Sequence, residues 1–251
     1  MTLENFTLLL WIWIAIAVII FFTLLFITAP YGRHSTTTWG PLINNKLAWF
    51  LMEFFVLVVF VYFILIGSLS QTKVNFFIMG LFILHYVNRS FIFPLRIKTK
   101  GKKMPIVIML MGLFFNLCNG FFLGYYLGEF KAYSIDWMYQ PQFIVGLFIF
   151  FLGMGINWWA DTVLIHLRKP KETDYKIPQQ GLFKFISCPN LFGEVIEWCG
   201  FAILTWSLPG LAFFIWTFAN LVPRAMAHHQ WYKSKFPEYP KSRKAIFPFI
   251  F

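Results

Sequence analysis

The chain has 251 residues, of which 59% are hydrophobic and only 12% are charged, and its formal net charge is +11. Soluble domains carry about 25% charged residues, so this composition excludes an ordinary soluble enzyme. The basic residues stand between apolar runs, a distribution that the positive-inside rule of membrane proteins explains better than nucleic-acid binding does. We therefore expect an integral membrane protein with no nucleic-acid partner.

Seven apolar stretches follow one another along the chain, and each is long enough to cross roughly 30 Å of hydrocarbon. The predicted spans are residues 8–28, 47–69, 74–93, 104–127, 143–164, 191–208 and a last span that starts near 211 and runs into a basic tail. The residues before the first span include Glu4 and neither lysine nor arginine, so we expect that span to stay as a helix rather than act as a cleavable signal peptide.

The loops alternate in charge along the chain. Loops one, three and five and the tail hold most of the lysine and arginine, whereas loops two, four and six hold only Lys73 and Lys131. This alternation predicts an N-terminus outside the membrane or in a lumen and a cytosolic C-terminus. The predicted fold is thus an all-α integral membrane protein, a seven-transmembrane-helix bundle that forms one domain over residues 1–251. The three cysteines have no metal-binding spacing, so no metal site is predicted.

Polar residues at the predicted cytosolic ends of the last three spans are the first candidates for a site. They are Asn157, Asp161, Arg168, Asn190, Glu194, His228 and Tyr232. Asn157 and Asp161 are one helical turn apart and share a face. Donors and acceptors of this kind fit a ribose and a diphosphate better than a bare ion, yet the chain has neither a GxGxxG nor a P-loop motif. Any nucleotide must then bind within the helices. Polar contacts between helices are the alternative interpretation.

Glu53 in the second span and Tyr86 in the third are candidates for catalysis. A buried carboxyl group in a membrane is costly and often functional. A tyrosine and a glutamate together can polarise a carbonyl oxygen. The alternatives are that Glu53 is a structural partner of Arg89 and that Tyr86 only packs or anchors the helix at the interface.

Motifs along nearly the whole chain resemble those of the steroid 5α-reductases, the 3-oxo-5α-steroid 4-dehydrogenase family. The motifs are FLGMGIN, RKP, YKIPQQGLF, GEVIEW, TWSLP and YPKSRKAIFPFIF in the second half, with AWFLMEF, HYVNRSF and CNGFFLGYYL in the first. The resemblance implies an oxidoreductase that uses NADPH to reduce the C4–C5 double bond of an apolar 3-oxo-Δ4-steroid such as testosterone or progesterone. Hydride would go to C5.

The resemblance also implies roles for particular residues. Glu53 and Tyr86 would be catalytic, and with Trp49 they would bind the steroid. The implied cofactor-binding residues are Tyr31, Arg33, Lys102, Asn157, Asp161, Arg168, Tyr175, Lys176, Asn190, Glu194, His228 and Tyr232. Helices of residues 1–127 would lie mainly on the substrate side, and residues 128–251 would mainly bind NADPH.

The expected protein is a monomer in a lipid bilayer, namely the inner membrane of a bacterium or the endoplasmic reticulum of a eukaryote. Three other functions stay open. One is a polyprenal or enoyl-thioester reductase of the same superfamily, the second is an isoprenylcysteine methyltransferase-like enzyme, and the third is a channel or transporter that uses the buried acids as an ion path.

Overall fold

The computed structural model describes residues 1–69, 71–98, 101–167 and 174–250. These ranges contain eight α-helices and one sheet of two short strands. The helices are α1 Leu3–Phe26, α2 Asn45–Leu65, α3 Lys73–Val87, α4 Phe93–Arg96, α5 Ile106–Tyr125, α6 Pro141–His166, α7 Pro189–Thr205 and α8 Leu208–Lys235, and the strands are β1 Leu42–Asn44 and β2 Lys103–Pro105. The prediction of a helical protein is confirmed.

Six helical segments of the described chain are long and apolar enough to cross a membrane. They are Leu3–Phe26, Asn45–Leu65, Lys73–Arg96, Ile106–Phe130, Pro141–His166 and Leu208–Lys235. This supports a multi-pass membrane protein. The predicted span at 191–208 corresponds to α7, which has 17 residues and is not among the six. The seventh span and the orientation of the termini therefore stay predictions.

Two of the segments contain a wide π-helical turn. The turn Asn88–Ile92 joins α3 to α4, and the turn Tyr126–Phe130 ends α5. Pro94 stands at the start of α4, where its ring and its missing N–H are incompatible with a regular helix through the preceding turn. The chain therefore stays helical past Tyr86 and Arg89 with a shifted register, and such turns are frequent at functional sites.

The described chain forms two compact units. Unit 1 comprises Met1–Trp11, Ala29–Ile144 and Ser207–Gly210, and unit 2 comprises Ile12–Thr28, Val145–Trp206 and Leu211–Phe251. Helices α1, α6 and α8 each contribute residues to both units.

Close packing of α2 against α5 forms the centre of unit 1. Gly120 and Gly124 of α5 face the backbone of α2 so closely that a Cβ on either would lie within 3.1 Å of a backbone oxygen. Buried Asn116 of α5 donates from Nδ2 to the carbonyl oxygen of Met52 at 2.7 Å. Small residues and polar side chains of this kind hold membrane helices together, and here they fix the helix that carries Glu53.

A short two-stranded antiparallel sheet joins the beginnings of α2 and α5. Strands β1 and β2 are antiparallel, with Ile43 opposite Met104 and Asn44 opposite Lys103. The hydroxyl of Ser35 donates to the carbonyl oxygen of Lys103 at 3.0 Å. The first and third loops, both basic in the sequence, therefore meet at one end of unit 1.

Four glycines form the contact between α6 and α7 in unit 2. Gly146 and Gly153 on α6 are seven residues apart, as are Gly193 and Gly200 on α7. A Cβ on any of them would lie within 3.0 Å of the backbone of the facing helix. Only glycine allows this approach. It brings the backbone of Asn157 against Gly193.

The C-terminal segment that follows α8 packs on α7 and α8. Ile246 is fully buried in a core cluster with Cys188, Val222 and Ala225. Backbone pairing of Ile186 with Lys244 joins the segment to the residues that precede α7. The tail is thus an integral part of unit 2.

Candidate functional site

Four predicted site residues of unit 2 form one hydrogen-bonded cluster across α6 and α7. Asn157 donates from Nδ2 to the backbone oxygen of Asn190 at 2.9 Å and lies 3.4 Å from Glu194 Oε2. Asn190 donates from Nδ2 to Asp161 Oδ1 at 3.0 Å. Asn157 and Asp161 are buried, whereas Asn190 and Glu194 are half-buried. The cluster therefore places two carboxyl groups and two amides at a partly open position.

One acceptor of this cluster is unused. Asn157 is only 1% exposed, and its Oδ1 has no hydrogen-bond partner within the described part of the chain. The indole Nε1 of the next residue, Trp158, is likewise buried and unbonded there. An unsatisfied buried polar group costs about 1–3 kcal/mol unless a ligand or water completes it. A ligand with N–H or O–H donors, such as an amide or a ribose, would fit Asn157 Oδ1.

Aromatic residues surround the end of α8. The ring of Tyr175 lies edge-on to Trp231 at 4.7 Å, and the ring of Tyr232 stacks on Tyr239 at 5.3 Å. Tyr232 is buried and His228 is half-buried. These contacts bring the predicted residues Tyr175 and Tyr232 to a common aromatic cluster.

Two more predicted cofactor residues belong to the loop between α6 and α7. Lys176 follows Tyr175 and is exposed. Arg168 lies outside the described residues.

Sequence reasoning missed a second polar group in unit 2, formed by Ser187, Tyr239 and Arg243. Ser187 contacts the Tyr239 hydroxyl at 2.6 Å. Arg243, 2% exposed, donates to the backbone oxygen of Pro178 at 3.2 Å and to Gln179 Oε1 at 3.1 Å. Burial raises the pKa of Tyr239, so its hydroxyl stays protonated at neutral pH and remains able to donate. The only hint in the sequence was a polar, basic tail directly after an apolar span.

In unit 1, Glu53 and Arg89 form an ion pair. Arg89 Nη2 lies 3.8 Å from Glu53 Oε1, and the two side chains are only 12% and 13% exposed. The guanidinium also lies over the rings of Trp49 at 5.2 Å and Phe93 at 4.9 Å. Arginine is suited to such a site because its planar group stacks on rings while it bonds a carboxylate. The alternative that paired Glu53 with Arg89 is thus observed, and it does not exclude a catalytic role.

Tyr86 stands near the end of α3, which packs against α2 and continues into the π turn that carries Arg89. Its side chain is 4% exposed. Its ring contacts Phe82 at 4.7 Å and the edge of His85 at 5.1 Å. The third span therefore presents a buried phenol three residues before a half-buried guanidinium.

The remaining predicted residues lie near the β1–β2 sheet of unit 1. The ring of Tyr31 is edge-on to Trp49 at 6.2 Å, which connects a predicted cofactor residue to a predicted steroid residue. Lys102 is exposed, and its backbone oxygen accepts from Asn45 N at 3.1 Å. Arg33 is half-buried in the first loop. This end of unit 1 is accordingly cationic.

Comparisons with known proteins identify the family. The family described as 3-oxo-5-alpha-steroid 4-dehydrogenase matches residues 102–251. A relative from Gossypium hirsutum, named steroid 5-alpha-reductase DET2, is 42% identical over 91% of this chain and 91% of its own. Proteins named 3-oxo-5-alpha-steroid 4-dehydrogenase 1 from Rattus norvegicus and Homo sapiens are 40% and 39% identical, each over 88% of this chain and 86% of its own. The chain therefore belongs to the steroid 5α-reductase family and is an oxidoreductase.

Proposed function

We propose that this protein reduces the C4–C5 double bond of 3-oxo-Δ4-steroids to 5α-3-oxosteroids, with NADPH as the reductant. The observation that carries the proposal is the cluster of Asn157, Asp161, Asn190 and Glu194, in which a buried amide oxygen is left for a ligand. The family supplies the reaction class, and the names of the relatives supply the class of substrate.

The residues of unit 2 fit a dinucleotide by their chemistry. Asn157 Oδ1 can accept from an amide or hydroxyl group, and the carboxylates of Asp161 and Glu194 can accept from ribose hydroxyls. Tyr175, Lys176, Asn190, His228, Tyr232 and Arg168 complete the proposed set. When bound, NADPH supplies the hydride that goes to C5.

The cationic end of unit 1 is proposed to favour the phosphorylated cofactor. Arg33 and Lys102 belong to the two loops that the β1–β2 sheet brings together, and Tyr31 lies beside them. Arginine and lysine bind phosphate through charge-assisted hydrogen bonds. We assign these residues to the 2′-phosphate end of the cofactor.

Glu53, Tyr86 and Trp49 are proposed to hold the steroid. Hydride addition at C5 of an enone places negative charge on the distant 3-oxo oxygen. A donor that is positioned at such an oxygen contributes about 3 kcal/mol to the transition state. Tyr86 is the proposed donor, and Glu53, which pairs with Arg89, is proposed to share the contact with the 3-oxo group. A proton is added at C4 to complete the reduction.

We further propose that all seven predicted spans cross the bilayer, with the N-terminus outside and the C-terminus cytosolic. In this arrangement the helices of residues 1–127 mainly admit an apolar steroid from the lipid, and residues 128–251 supply most of the groups that bind NADPH from the cytosol. Single-cysteine variants at Thr2 and Glu238, both exposed, test the topology with a membrane-impermeant thiol reagent on sealed vesicles. Labelling from opposite sides is expected, whereas labelling from one side would mean an even number of spans.

The activity test uses the purified full chain in lipid vesicles with NADPH. Testosterone and progesterone are expected to give 5α-dihydro products, with NADPH consumed in equal amount. A polyprenal, an enoyl thioester and S-adenosylmethionine are offered in parallel. Reduction of only the polyprenal or thioester would replace the steroid with that substrate. Binding of S-adenosylmethionine without affinity for NADPH would refute the reductase proposal.

A further inference from the structure

A buried polar junction in unit 2 lies outside all the residues assigned so far. Ser187 Oγ is 2.6 Å from the Tyr239 hydroxyl, 2.7 Å from His229 Nδ1 and 3.1 Å from the backbone oxygen of Lys244. Ser187 is 4% exposed and Tyr239 is 6% exposed. The Ser187 hydroxyl therefore connects the segment before α7, the last turns of α8 and the C-terminal segment.

Proton counting limits the hydrogen bonds that the Ser187 hydroxyl can make. A serine hydroxyl has one proton to donate and two lone pairs that accept. The oxygen of Lys244 can only accept, and it also receives the backbone N–H of Ser187 at 2.9 Å. When Ser187 Oγ donates to this oxygen, the Tyr239 hydroxyl and His229 Nδ1–H both donate to Ser187. This is the one arrangement that uses all three contacts. The Ser187 hydroxyl then has no further proton or lone pair to share.

The junction reaches proposed cofactor residues on two helices. Ser187 stands three residues before Asn190, at the beginning of α7. The ring of Tyr239 stacks on Tyr232 with an interplanar angle of 11°. His229 follows His228 on α8. The Ser187 hydroxyl thereby connects the beginning of α7, which carries Asn190, to the Tyr239 ring, which stacks on Tyr232.

A cation also contacts the junction. The guanidinium of Arg243 lies 4.9 Å from the centre of the Tyr239 ring and also bonds the backbone oxygen of Pro178. Tyr239 therefore contacts the Tyr232 ring, the Arg243 guanidinium and the Ser187 hydroxyl.

We propose that Ser187 is a positioning residue for the cofactor site, which sets the register between α7 and α8 through Tyr239 and His229 without touching the cofactor. The inference rests on the proposed function, because it takes Asn190 and Tyr232 as NADPH-binding residues. Loss of the hydroxyl lets the two helix ends move relative to each other, and the affinity for NADPH falls while the steroid-binding residues of unit 1 are unchanged.

The test measures the Kd of NADPH and the KM of the steroid for the full chain in vesicles. Ser187→Ala is expected to raise the Kd of NADPH about tenfold, which corresponds to the loss of one or two hydrogen bonds. The steroid KM should stay within about twofold. Thr205→Val is the matched control, since it removes a buried hydroxyl at the far end of α7 that donates to the backbone oxygens of Phe201 and Ala202.

A second variant keeps the test decisive if Ser187→Ala does not fold. Tyr239→Phe removes one hydroxyl and keeps the stacked ring, and it should weaken NADPH binding by a similar factor. The double variant should be no worse than Ser187→Ala by more than about twofold, because both changes break the same bond. Unchanged NADPH affinity in Ser187→Ala or Tyr239→Phe, or an equal loss in Thr205→Val, overturns the inference. A wild-type chain that does not bind NADPH overturns the proposed function itself.

Discussion

Replacement of Gly193 by alanine tests whether the α6–α7 contact builds the cofactor site. A Cβ at Gly193 would lie 2.5 Å from the backbone nitrogen of Asn157 and 2.7 Å from the backbone oxygen of Gly153. Ordinary carbon contacts need about 3.5–4 Å, so the two helices must separate by about 1 Å. The 2.9 Å bond from Asn157 Nδ2 to Asn190 would then lengthen beyond hydrogen-bonding distance.

The expected result of Gly193→Ala is a large loss of NADPH affinity together with reduced stability. Overpacking of this kind costs about 1–3 kcal/mol, and the broken cluster should raise the Kd of NADPH at least about tenfold. The measurements are cofactor binding and the thermal unfolding midpoint of the protein in detergent.

Gly155→Ala is the matched control for that prediction. Gly155 lies on α6 among the same residues, but a Cβ there would meet nothing within 4 Å. Alanine is also the better helix former, so this variant should bind NADPH as the wild type does and be at least as stable. Wild-type affinity in Gly193→Ala, or equal losses in both variants, would refute the reasoning.

Three further substitutions probe the two clusters. Tyr86→Phe should lower kcat about 100-fold or more, because it removes one transition-state donor, while NADPH binding is retained; intact turnover would exclude Tyr86 as the donor. Arg89→Lys should lower kcat/KM for the steroid about tenfold, because lysine keeps the charge near Glu53 but not the planar stacking, and an unchanged value would exclude that stacking as important. Asn157→Asp should weaken NADPH binding about tenfold by adding a charge beside Asp161 and Glu194; titration of the cofactor checks it, and tighter binding would contradict the assignment.

Hydropathy was sufficient to predict the long helices, because lipid requires about 20 apolar residues for each crossing. The predicted span 143–164 corresponds to α6, Pro141–His166, and the predicted span 47–69 corresponds to α2, Asn45–Leu65. The end of α2 was placed late because Ile66 and Leu69 continue the apolar run, although Gly67 and Ser68 stand where the chain has left the helix.

The smaller features depend on tertiary contacts and leave little trace in composition. Strands β1 and β2 have three residues each, too few for an alternating pattern to be seen. The π turn after Tyr86 can be suspected only from Pro94, six residues after its first residue. The Ser187 junction joins residues up to 57 positions apart, so no local pattern could predict it.

The candidate site was predictable to the level of residue type and helix face. The spacing of Asn157 and Asp161 put them on one face, and the structure joins both to Asn190. Sequence alone could not show that Asn157 uses its amide nitrogen for this contact and keeps its oxygen unbonded within the described chain. Buried amides usually satisfy both of their atoms, so the unbonded oxygen of Asn157 supports the proposal of a ligand site here.

The Glu53–Arg89 pair also constrains how the proposed chemistry can work. A carboxylate that faces a guanidinium at 3.8 Å offers lone pairs and no proton, so it cannot itself donate to a developing oxyanion. This agrees with the proposal that the phenol of Tyr86, and not the carboxylate of Glu53, donates to the steroid 3-oxo group. Arg89 in turn is held over Trp49 and Phe93, so its position does not depend on the substrate. We therefore propose separate roles: Tyr86 donates the hydrogen bond to the 3-oxo oxygen, and Arg89 neutralises the charge of Glu53, which the membrane interior would otherwise exclude.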